Sequence, residues 1–125
     1  MRVEHVAIWV RDLDASRAFY ERALGARAGP VYVNPVKGFR SCFLTLDAGA
    51  RIELMHRDGL APGNPAALGY AHLAVAVGSE AAVDALTDRL RHEGVPVVDG
   101  PRRTGDGYYE SVVLDPDGNR IELTA

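Results

Sequence analysis

The tetrapeptide Arg51-Ile52-Glu53-Leu54 occurs a second time, unchanged, as Arg120-Ile121-Glu122-Leu123. Each copy follows a matching segment, His5-Val-Ala-Ile-Trp-Val10 in the first half and His72-Leu-Ala-Val-Ala-Val77 in the second. The two histidines are 67 residues apart and the two glutamates 69 residues apart, so each half supplies one imidazole and one carboxylate at nearly equal spacing. This repetition indicates one module written twice.

Alternating apolar residues and turn-forming residues predict the order β-α-β-β-β in each half, and therefore an α+β fold. The predicted strands of the first half are 3–10, a short edge strand near 27–33, 39–46 and 51–55. Those of the second half are 71–77, 95–98, a hairpin strand before the turn at 115–118, and 120–123, with a Gly-, Arg- and Pro-rich loop preceding the hairpin. We expect a single domain, 1–125, made of two tandem βαβββ modules that form a curled mixed sheet. Module 1 covers about 1–56, a linker 57–69, and module 2 about 70–125.

Capping residues and apolar stripes predict one helix in each module. The first begins at Asp12 or Asp14, runs through Leu24 and ends at Gly25. Its predicted inward stripe is Ala15, Ala18, Phe19 and Ala23. The second begins after Ser79 and ends at Gly94, with Ala82, Val83, Leu86 and Leu90 facing inward.

Composition excludes several classes of function. The net charge of −3 leaves no basic excess for nucleic acid, and no stretch approaches the roughly 20 apolar residues that cross a bilayer. The single Cys42 cannot form an intrachain disulfide, and we expect it to pack as a small apolar residue. No apolar run follows the start of the chain as in a signal peptide, so we expect a cytoplasmic protein.

The repeated histidines and glutamates predict a metal site. Strand alternation places His5 opposite the row Val6, Ile8 and Val10, and it places Glu53 and Glu122 opposite their aliphatic neighbours. Helices cover the aliphatic side of a sheet, so we expect the donors on the other face. If the sheets curl, His5, Glu53, His72 and Glu122 surround one pocket. Two imidazoles and two carboxylates suit a divalent ion and leave coordination positions for a substrate, whose carbonyl such an ion polarises.

Other polar residues receive different predictions. His56 shares the side of Ile52 and Leu54, and His92 lies in the last turn of a helix, so neither is expected to bind metal. The stretch Arg102–Glu110, which contains Arg103, Tyr108 and Tyr109, has the composition of a substrate-binding loop and equally that of a solvated one. Trp9 shares the face of His5, where it could line the pocket or simply pack in the core.

Three segments make the chain resemble the vicinal oxygen chelate superfamily, which includes glyoxalase I, methylmalonyl-CoA epimerase, extradiol dioxygenases and bleomycin and fosfomycin resistance proteins. They are His5-Val-Ala-Ile-Trp-Val-Arg-Asp-Leu13 with Phe19-Tyr20 downstream, Gly69-Tyr-Ala-His-Leu-Ala-Val-Ala-Val77, and Leu114-Asp-Pro-Asp-Gly-Asn-Arg-Ile-Glu-Leu123. The resemblance covers essentially the whole chain, and its most specific part is the last segment.

The resemblance implies a set of metal ligands and an activity. The ligand positions of glyoxalase I fall on His5, Glu53, His72 and Glu122, whereas dioxygenases and fosfomycin enzymes generally use two His and one Glu. The resemblance therefore implies a lyase or isomerase that converts the hemithioacetal of methylglyoxal and glutathione to lactoylglutathione. It implies Zn or Ni as the ion, with Mn, Co and Fe also compatible, Glu122 as the preferred proton carrier with Glu53 as the second carboxylate, and a homodimer acting on a small molecule.

Glyoxalase I holds glutathione with an Arg four residues after its first His and an Asn four residues after its first Glu. This chain has Trp9 and Arg57 at those places. Two other functions therefore remain open: another enzyme of the superfamily, such as a dioxygenase or epimerase, and a non-catalytic protein that binds a small molecule such as an antibiotic. Whether one chain or two supply the ligands of each site is also open.

Overall fold

The computed structural model describes residues 1–63 and 67–125, and it divides the chain into two compact units, Met1–Gly63 and Asn64–Ala125. The predicted linker, 57–69, spans this division, and its residues 64–66 lie outside the described part. Arg57 belongs to the last strand of the first unit rather than to the linker. That the two modules form a single domain stays a prediction.

The first unit contains one helix and one mixed sheet. Its elements are β1 (His5–Trp9), α1 (Leu13–Leu24), β2 (Arg27–Ala28), β3 (Tyr32–Asn34), a 3-10 turn (Pro35–Lys37), β4 (Phe39–Thr45) and β5 (Arg51–Arg57). The strand order is β1-β5-β4-β2, with β3 also paired to β4. The first and last strands, β1 and β5, lie side by side and parallel, and the other pairs are antiparallel.

The second unit repeats this arrangement. Its elements are β6 (Leu73–Ala76), α2 (Glu80–His92), β7 (Val97–Arg103), β8 (Tyr109–Leu114) and β9 (Arg120–Thr124). The strand order is β6-β9-β8-β7, and β6 is parallel to β9. The predicted turn at 115–118 is formed, because the Asp115 carboxylate accepts hydrogen bonds from the backbone of Asp117 and Asn119. The predicted α+β class with two modules is confirmed.

Two strand predictions need correction. The edge strand expected at 27–33 is divided into β2 and β3, with Pro30, which has no backbone N–H to donate, between them. The strand expected at 95–98 extends instead to Arg103, through residues predicted to be a loop. Its register shifts near Gly100, where φ is +72° and a Cβ atom would lie 2.5 Å from the Glu110 carbonyl oxygen. Gly100 thus permits an irregularity inside a strand, not a break in it.

Helix α1 begins at Asp12, whose carboxylate accepts hydrogen bonds at 3.0 Å from the backbone N–H groups of Asp14 and Ala15. It ends at Gly25, which adopts a left-handed conformation with φ of 65°. The predicted inward stripe was half wrong, because Ala15 and Ala18 are exposed. The buried residues of α1 are Leu13, Ser16, Phe19, Tyr20 and Ala23.

Helix α2 begins after Ser79, whose hydroxyl accepts a hydrogen bond from the Ala82 N–H at 3.2 Å. Val83 and Leu90 are buried as predicted, whereas Ala82 and Leu86 are only half-buried. Thr87, which was not among the predicted inward residues, is fully buried, and its hydroxyl is 2.6 Å from both the Val83 carbonyl oxygen and the Ser111 hydroxyl. No helix among residues 1–63 and 67–125 is long and apolar enough to cross a membrane.

The helices cover the aliphatic faces of the sheets. In the first unit, Ile52 and Leu54 of β5 are buried together with Leu44 and Cys42 of β4. Ile121 and Leu123 of β9 occupy the equivalent places in the second. Burial raises the pKa of the Cys42 thiol, so this residue packs as a small apolar group, as predicted.

Replacing Asp12 by Ala is expected to lower the free energy of unfolding by ~1 kcal/mol, because two N–H groups at the start of α1 lose their acceptor. The measurement is urea unfolding followed by circular dichroism. Asp14→Ala is the control, since Asp14 lies inside the first turn and, among the contacts of the described residues, its carboxylate pairs with Arg40 at 3.4 Å. Equal losses for both variants would contradict the assignment of Asp12 as the cap.

Candidate metal centre

The strand registers place one histidine and one glutamate on the same face in each unit. In β1, His5, Ala7 and Trp9 are exposed and alternate with the less exposed Val6 and Ile8. Ala7 is the cross-strand partner of Glu53, two residues beyond His5. The second unit has the same register, with Ala74 opposite Glu122 and two residues beyond His72. The glutamate is therefore a diagonal neighbour of the histidine in both modules.

In the first unit, His5 Nε2 lies 3.8 Å from Glu53 Oε2. The Glu53 side chain is 16% exposed and the His5 side chain 39% exposed. The other ring nitrogen, Nδ1, is 2.5 Å from Oε2 of Glu4, and the ring meets Phe43 edge-to-face at 5.3 Å between centroids. His5 therefore presents its Nε2 atom to Glu53 while Nδ1 is engaged on the opposite side of the ring.

In the second unit, His72 Nε2 lies 3.5 Å from Glu122 Oε2. The exposures match those of the first pair, with Glu122 at 15% and His72 at 44%. Each module thus joins a partly exposed imidazole to a mostly buried carboxylate. This similarity extends the sequence repeat to the geometry of the side chains.

The two pairs fit the chemistry of a divalent metal. Metal–ligand bonds of about 2.0–2.2 Å place two neighbouring ligands of one ion about 2.8–3.1 Å apart in an octahedral site and about 3.3–3.6 Å apart in a tetrahedral one. The 3.5 Å separation in the second unit matches the tetrahedral distance, and a small side-chain shift would bring the 3.8 Å separation in the first unit to it. Among the described residues, no group of three or more His, Cys, Asp or Glu side chains is gathered to hold a metal ion. Each pair is half of the predicted ligand set, and their joining stays a prediction.

A cavity of about 280 Å³ borders the second pair. It is lined by His72, Thr104, Asp106, Tyr108, Glu110 and Glu122. Glu110 ends the segment predicted as a possible substrate-binding loop but was not itself predicted as a site residue, although its alternation with the buried Ser111 in β8 places it on the open face. Burial raises the pKa of the Glu110 carboxyl, and the nearby Glu122 carboxylate adds to this rise. The side chain of Glu110 is only 13% exposed.

Arg102, at the start of the same segment, is a second residue of this region that was not predicted individually. It is the cross-strand partner of Glu110, and its guanidinium is 3.7 Å from that carboxylate. The same guanidinium donates two-point hydrogen bonds to Asp99, at 2.7–3.0 Å, and this interaction lowers the pKa of the Asp99 carboxyl. A cation is therefore held next to the Glu110 carboxylate of the cavity.

Three residues of this region were predicted to bind substrate, and they lie on two different faces of the hairpin. Tyr108 is exposed and lines the cavity. Arg103 and Tyr109 instead contact α2, Arg103 through an ion pair with Glu80 and Tyr109 through a 2.7 Å hydrogen bond from its hydroxyl to Asp84. The segment predicted as a loop is the β7-β8 hairpin, whose alternation separates Tyr108 from Tyr109.

Trp9 belongs to an aromatic cluster on the open face of the first unit. Its ring meets Phe39 edge-to-face at 6.2 Å, and Phe39 is also 6.2 Å from Tyr32. The Arg57 guanidinium lies over the Trp9 ring at 5.0 Å from its centroid. Trp9 and Tyr32 remain exposed, at 43% and 56%.

The two remaining histidines lie apart from these pairs. His56 Nδ1 is 3.1 Å from the Val10 carbonyl oxygen, on the helix-covered side where the sequence placed it. His92 Nδ1 is 2.7 Å from the Asp88 carbonyl oxygen in the last turn of α2. Each of these two rings therefore has a backbone carbonyl oxygen as its partner.

Comparison with known proteins identifies relatives along the whole chain. A family model described as Glyoxalase/Bleomycin resistance protein/Dioxygenase superfamily matches residues 2–123. An ethylmalonyl-CoA/methylmalonyl-CoA epimerase of Cereibacter sphaeroides is 36% identical over 104 residues, which cover 78% of this chain and 74% of that protein. A lactoylglutathione lyase of Haemophilus influenzae is 32% identical over 128 residues, which cover 98% of this chain and 91% of that protein.

Solved structures show the same fold. A glyoxylase/bleomycin resistance protein/dioxygenase domain from Frankia sp. EAN1pec superposes with a TM-score of 0.86 at 24% identity, covering 99% of this chain and 96% of that one. The trypanothione-dependent glyoxalase I of Leishmania major superposes with a TM-score of 0.80 at 28% identity, covering 99% and 86%.

Glu110→Gln is expected to stabilise the metal-free protein more at neutral than at acidic pH. A carboxyl with a raised folded-state pKa binds its proton more tightly in the folded chain, so wild-type stability falls as the pH rises above the ordinary value of 4.5. The neutral amide of the Glu110→Gln variant does not titrate, so the variant does not lose stability in this way as the pH rises. The check is urea unfolding of chelator-treated protein on both sides of that pH. A variant whose stability shifts equally at both would rule out the raised pKa.

Proposed function

Since the chain belongs to the Glyoxalase/Bleomycin resistance protein/Dioxygenase superfamily, we propose that it is a metal-dependent lyase or isomerase of the glyoxalase I type, acting at a carbon next to a carbonyl. The observation that carries this proposal is the repeated pairing of His5 with Glu53 and of His72 with Glu122 in the same diagonal register. Conservation of the fold alone would not require both residue types at the same place in both modules.

The proposed metal ligands are His5, Glu53, His72 and Glu122, supplied by one chain or by two chains of a homodimer. Two imidazoles and two carboxylates accept Zn and Ni, and also Mn, Co and Fe, so supply in the cell would decide which ion is bound. A bound ion supplies Lewis-acid polarisation of a substrate oxygen.

Glu122 is the proposed proton carrier. Its carboxylate borders the 280 Å³ cavity, where a small substrate can approach it. Glu53 has a different setting, since its cross-strand partners are Ala7 and the ring of Phe43. A carboxylate at the wall of a polar cavity can take a proton from the carbon next to a carbonyl and return it to the neighbouring carbon. Glu53 is the alternative carrier.

A second candidate is a superfamily enzyme for an aromatic substrate, such as an extradiol dioxygenase. It is favoured by the Trp9 cluster, which presents exposed rings and the Arg57 guanidinium on the same sheet face as His5 and Glu53. A flat ring can stack there, and the guanidinium can attract an acidic substituent. Trp9 and Arg57 also replace the residues that the resemblance assigns to glutathione, which weakens the case for a glutathione conjugate.

The leading proposal predicts that elemental analysis of the purified protein finds one metal ion per site and that the Glu53→Ala variant loses this ion.

The Glu122→Gln variant keeps an oxygen donor for the metal but removes the base. Its kcat on the hemithioacetal of methylglyoxal is expected to fall by roughly 10²–10⁴-fold, the usual contribution of general acid–base catalysis. Asp47→Asn, at a fully exposed carboxylate, is the matched control. Metal-loaded wild type without turnover on glutathione or other thiol hemithioacetals would reject the glyoxalase assignment.

The second candidate predicts that a catechol changes the fluorescence of Trp9, the single tryptophan of the chain, and that a glutathione conjugate does not. Trp9→Leu is expected to weaken catechol binding about fivefold to tenfold, as the loss of ~1 kcal/mol of aromatic contact implies. Binding is measured by equilibrium dialysis, which needs no tryptophan signal. Unchanged affinity in Trp9→Leu would remove the aromatic cluster from the substrate site.

A further inference from the structure

Glu4 precedes β1 and contacts both His5 and the start of β5. Its Oε2 atom lies 2.5 Å from His5 Nδ1, and its Oε1 atom accepts a hydrogen bond from the Arg51 guanidinium. Its main chain is held as well, because the Glu4 carbonyl oxygen accepts a hydrogen bond of 3.0 Å from the Arg51 N–H. The hydrogen bond with His5, and to a smaller extent the one with Arg51, holds the pKa of the Glu4 carboxyl below its usual value.

These residues close a ring of contacts around the His5 imidazole. The Arg51 guanidinium lies over the Phe43 ring at 4.1 Å, and Phe43 in turn meets the edge of His5 at 5.3 Å. Glu4 is therefore fixed by Arg51, Arg51 by Phe43, and the imidazole is held between Glu4 and Phe43. The atom left for a ligand is Nε2, which faces Glu53 at 3.8 Å.

The described residues of the second module, 67–125, do not repeat this arrangement. The residue before His72 is Ala71, which has no acceptor in its side chain, and the cross-strand partner of Glu122 is Val112 where Glu53 has Phe43. The repeat therefore preserves the donor pair but not the residues around the imidazole. Fold maintenance does not explain the difference, since Glu4 is exposed and lies outside the core.

We propose that Glu4, held by Arg51, is a positioning residue that orients His5 for metal binding. A carboxylate that accepts the Nδ1 proton fixes the tautomer, aims Nε2 at the ion and makes it more basic, and losing such a partner typically costs 10–100-fold in metal affinity. This inference rests on the proposed metal site and specifies how one of its ligands is prepared.

The first experiment measures Zn²⁺ and Ni²⁺ affinity by competition with a chromophoric chelator. Glu4→Gln and Glu4→Ala are each expected to weaken binding about 10–100-fold. The Arg51→Gln variant distinguishes a role of Arg51 in holding Glu4 from a role of its positive charge alone. If Arg51 acted only through its charge, removing it would tighten cation binding, whereas loss of its hold on Glu4 weakens binding. Asp47→Asn controls for net charge, because its carboxylate contacts only Arg27 among the contacts described. Unchanged affinity in the Glu4 variants, or tighter binding in Arg51→Gln, would overturn the proposal.

The second experiment uses metal-free protein, so that the inference and the proposed function can fail separately. In wild type, the ¹⁵N shifts of the neutral His5 ring are expected to report a proton on Nδ1, and Glu4→Ala is expected to move the population towards the Nε2–H tautomer. The His72 ring, which has Ala71 before it, is the internal reference. An unchanged tautomer in Glu4→Ala would refute the positioning role, whereas failure of wild type to bind either ion would refute the proposed metal site.

Discussion

The parallel pairing of the first and last strands in each module is the constraint on which the candidate site depends. It sets Ala7 opposite Glu53 and Ala74 opposite Glu122, so that each glutamate has a methyl group as its direct neighbour and an imidazole as its diagonal one. A larger side chain opposite the glutamate would occupy the space between the two donors. A shift of one residue in either register would turn the donors into the helix-covered core.

Much of this arrangement could be read from the sequence, because strand alternation is strictly local. The positions of Ile52 and Ile121 in the core follow from period two, and Glu53 and Glu122 must then lie on the other face. The cap at Asp12 and the left-handed Gly25 were also recognisable, since each depends on a few neighbouring residues.

The errors arose where distant parts of the chain decide the outcome. Ala15 and Ala18 fit an apolar stripe, yet the sheet covers the side of α1 that carries Leu13, Ser16 and Tyr20. The Gly- and Pro-containing segment around Gly100 resembles a loop, but pairing with β8 keeps it in the sheet. Glu110 could not be assigned to the site until that pairing was known. The positions of the four proposed ligands relative to one another depend on longer-range contacts still.

The two modules share a register but provide different surroundings. Around His5 and Glu53, the neighbours are the Phe43 ring, the Arg51 guanidinium that lies over it, and the Glu4 carboxylate. Around His72 and Glu122, they are carboxylates and hydroxyls, with Arg102 as the nearby cation. Burial raises the pKa of the Glu110 carboxyl, and the nearby Glu122 carboxylate adds a repulsion that raises it further. If the proposed ion is bound by Glu122, its positive charge would offset this repulsion, and metal binding would then be linked to the stability of the second module.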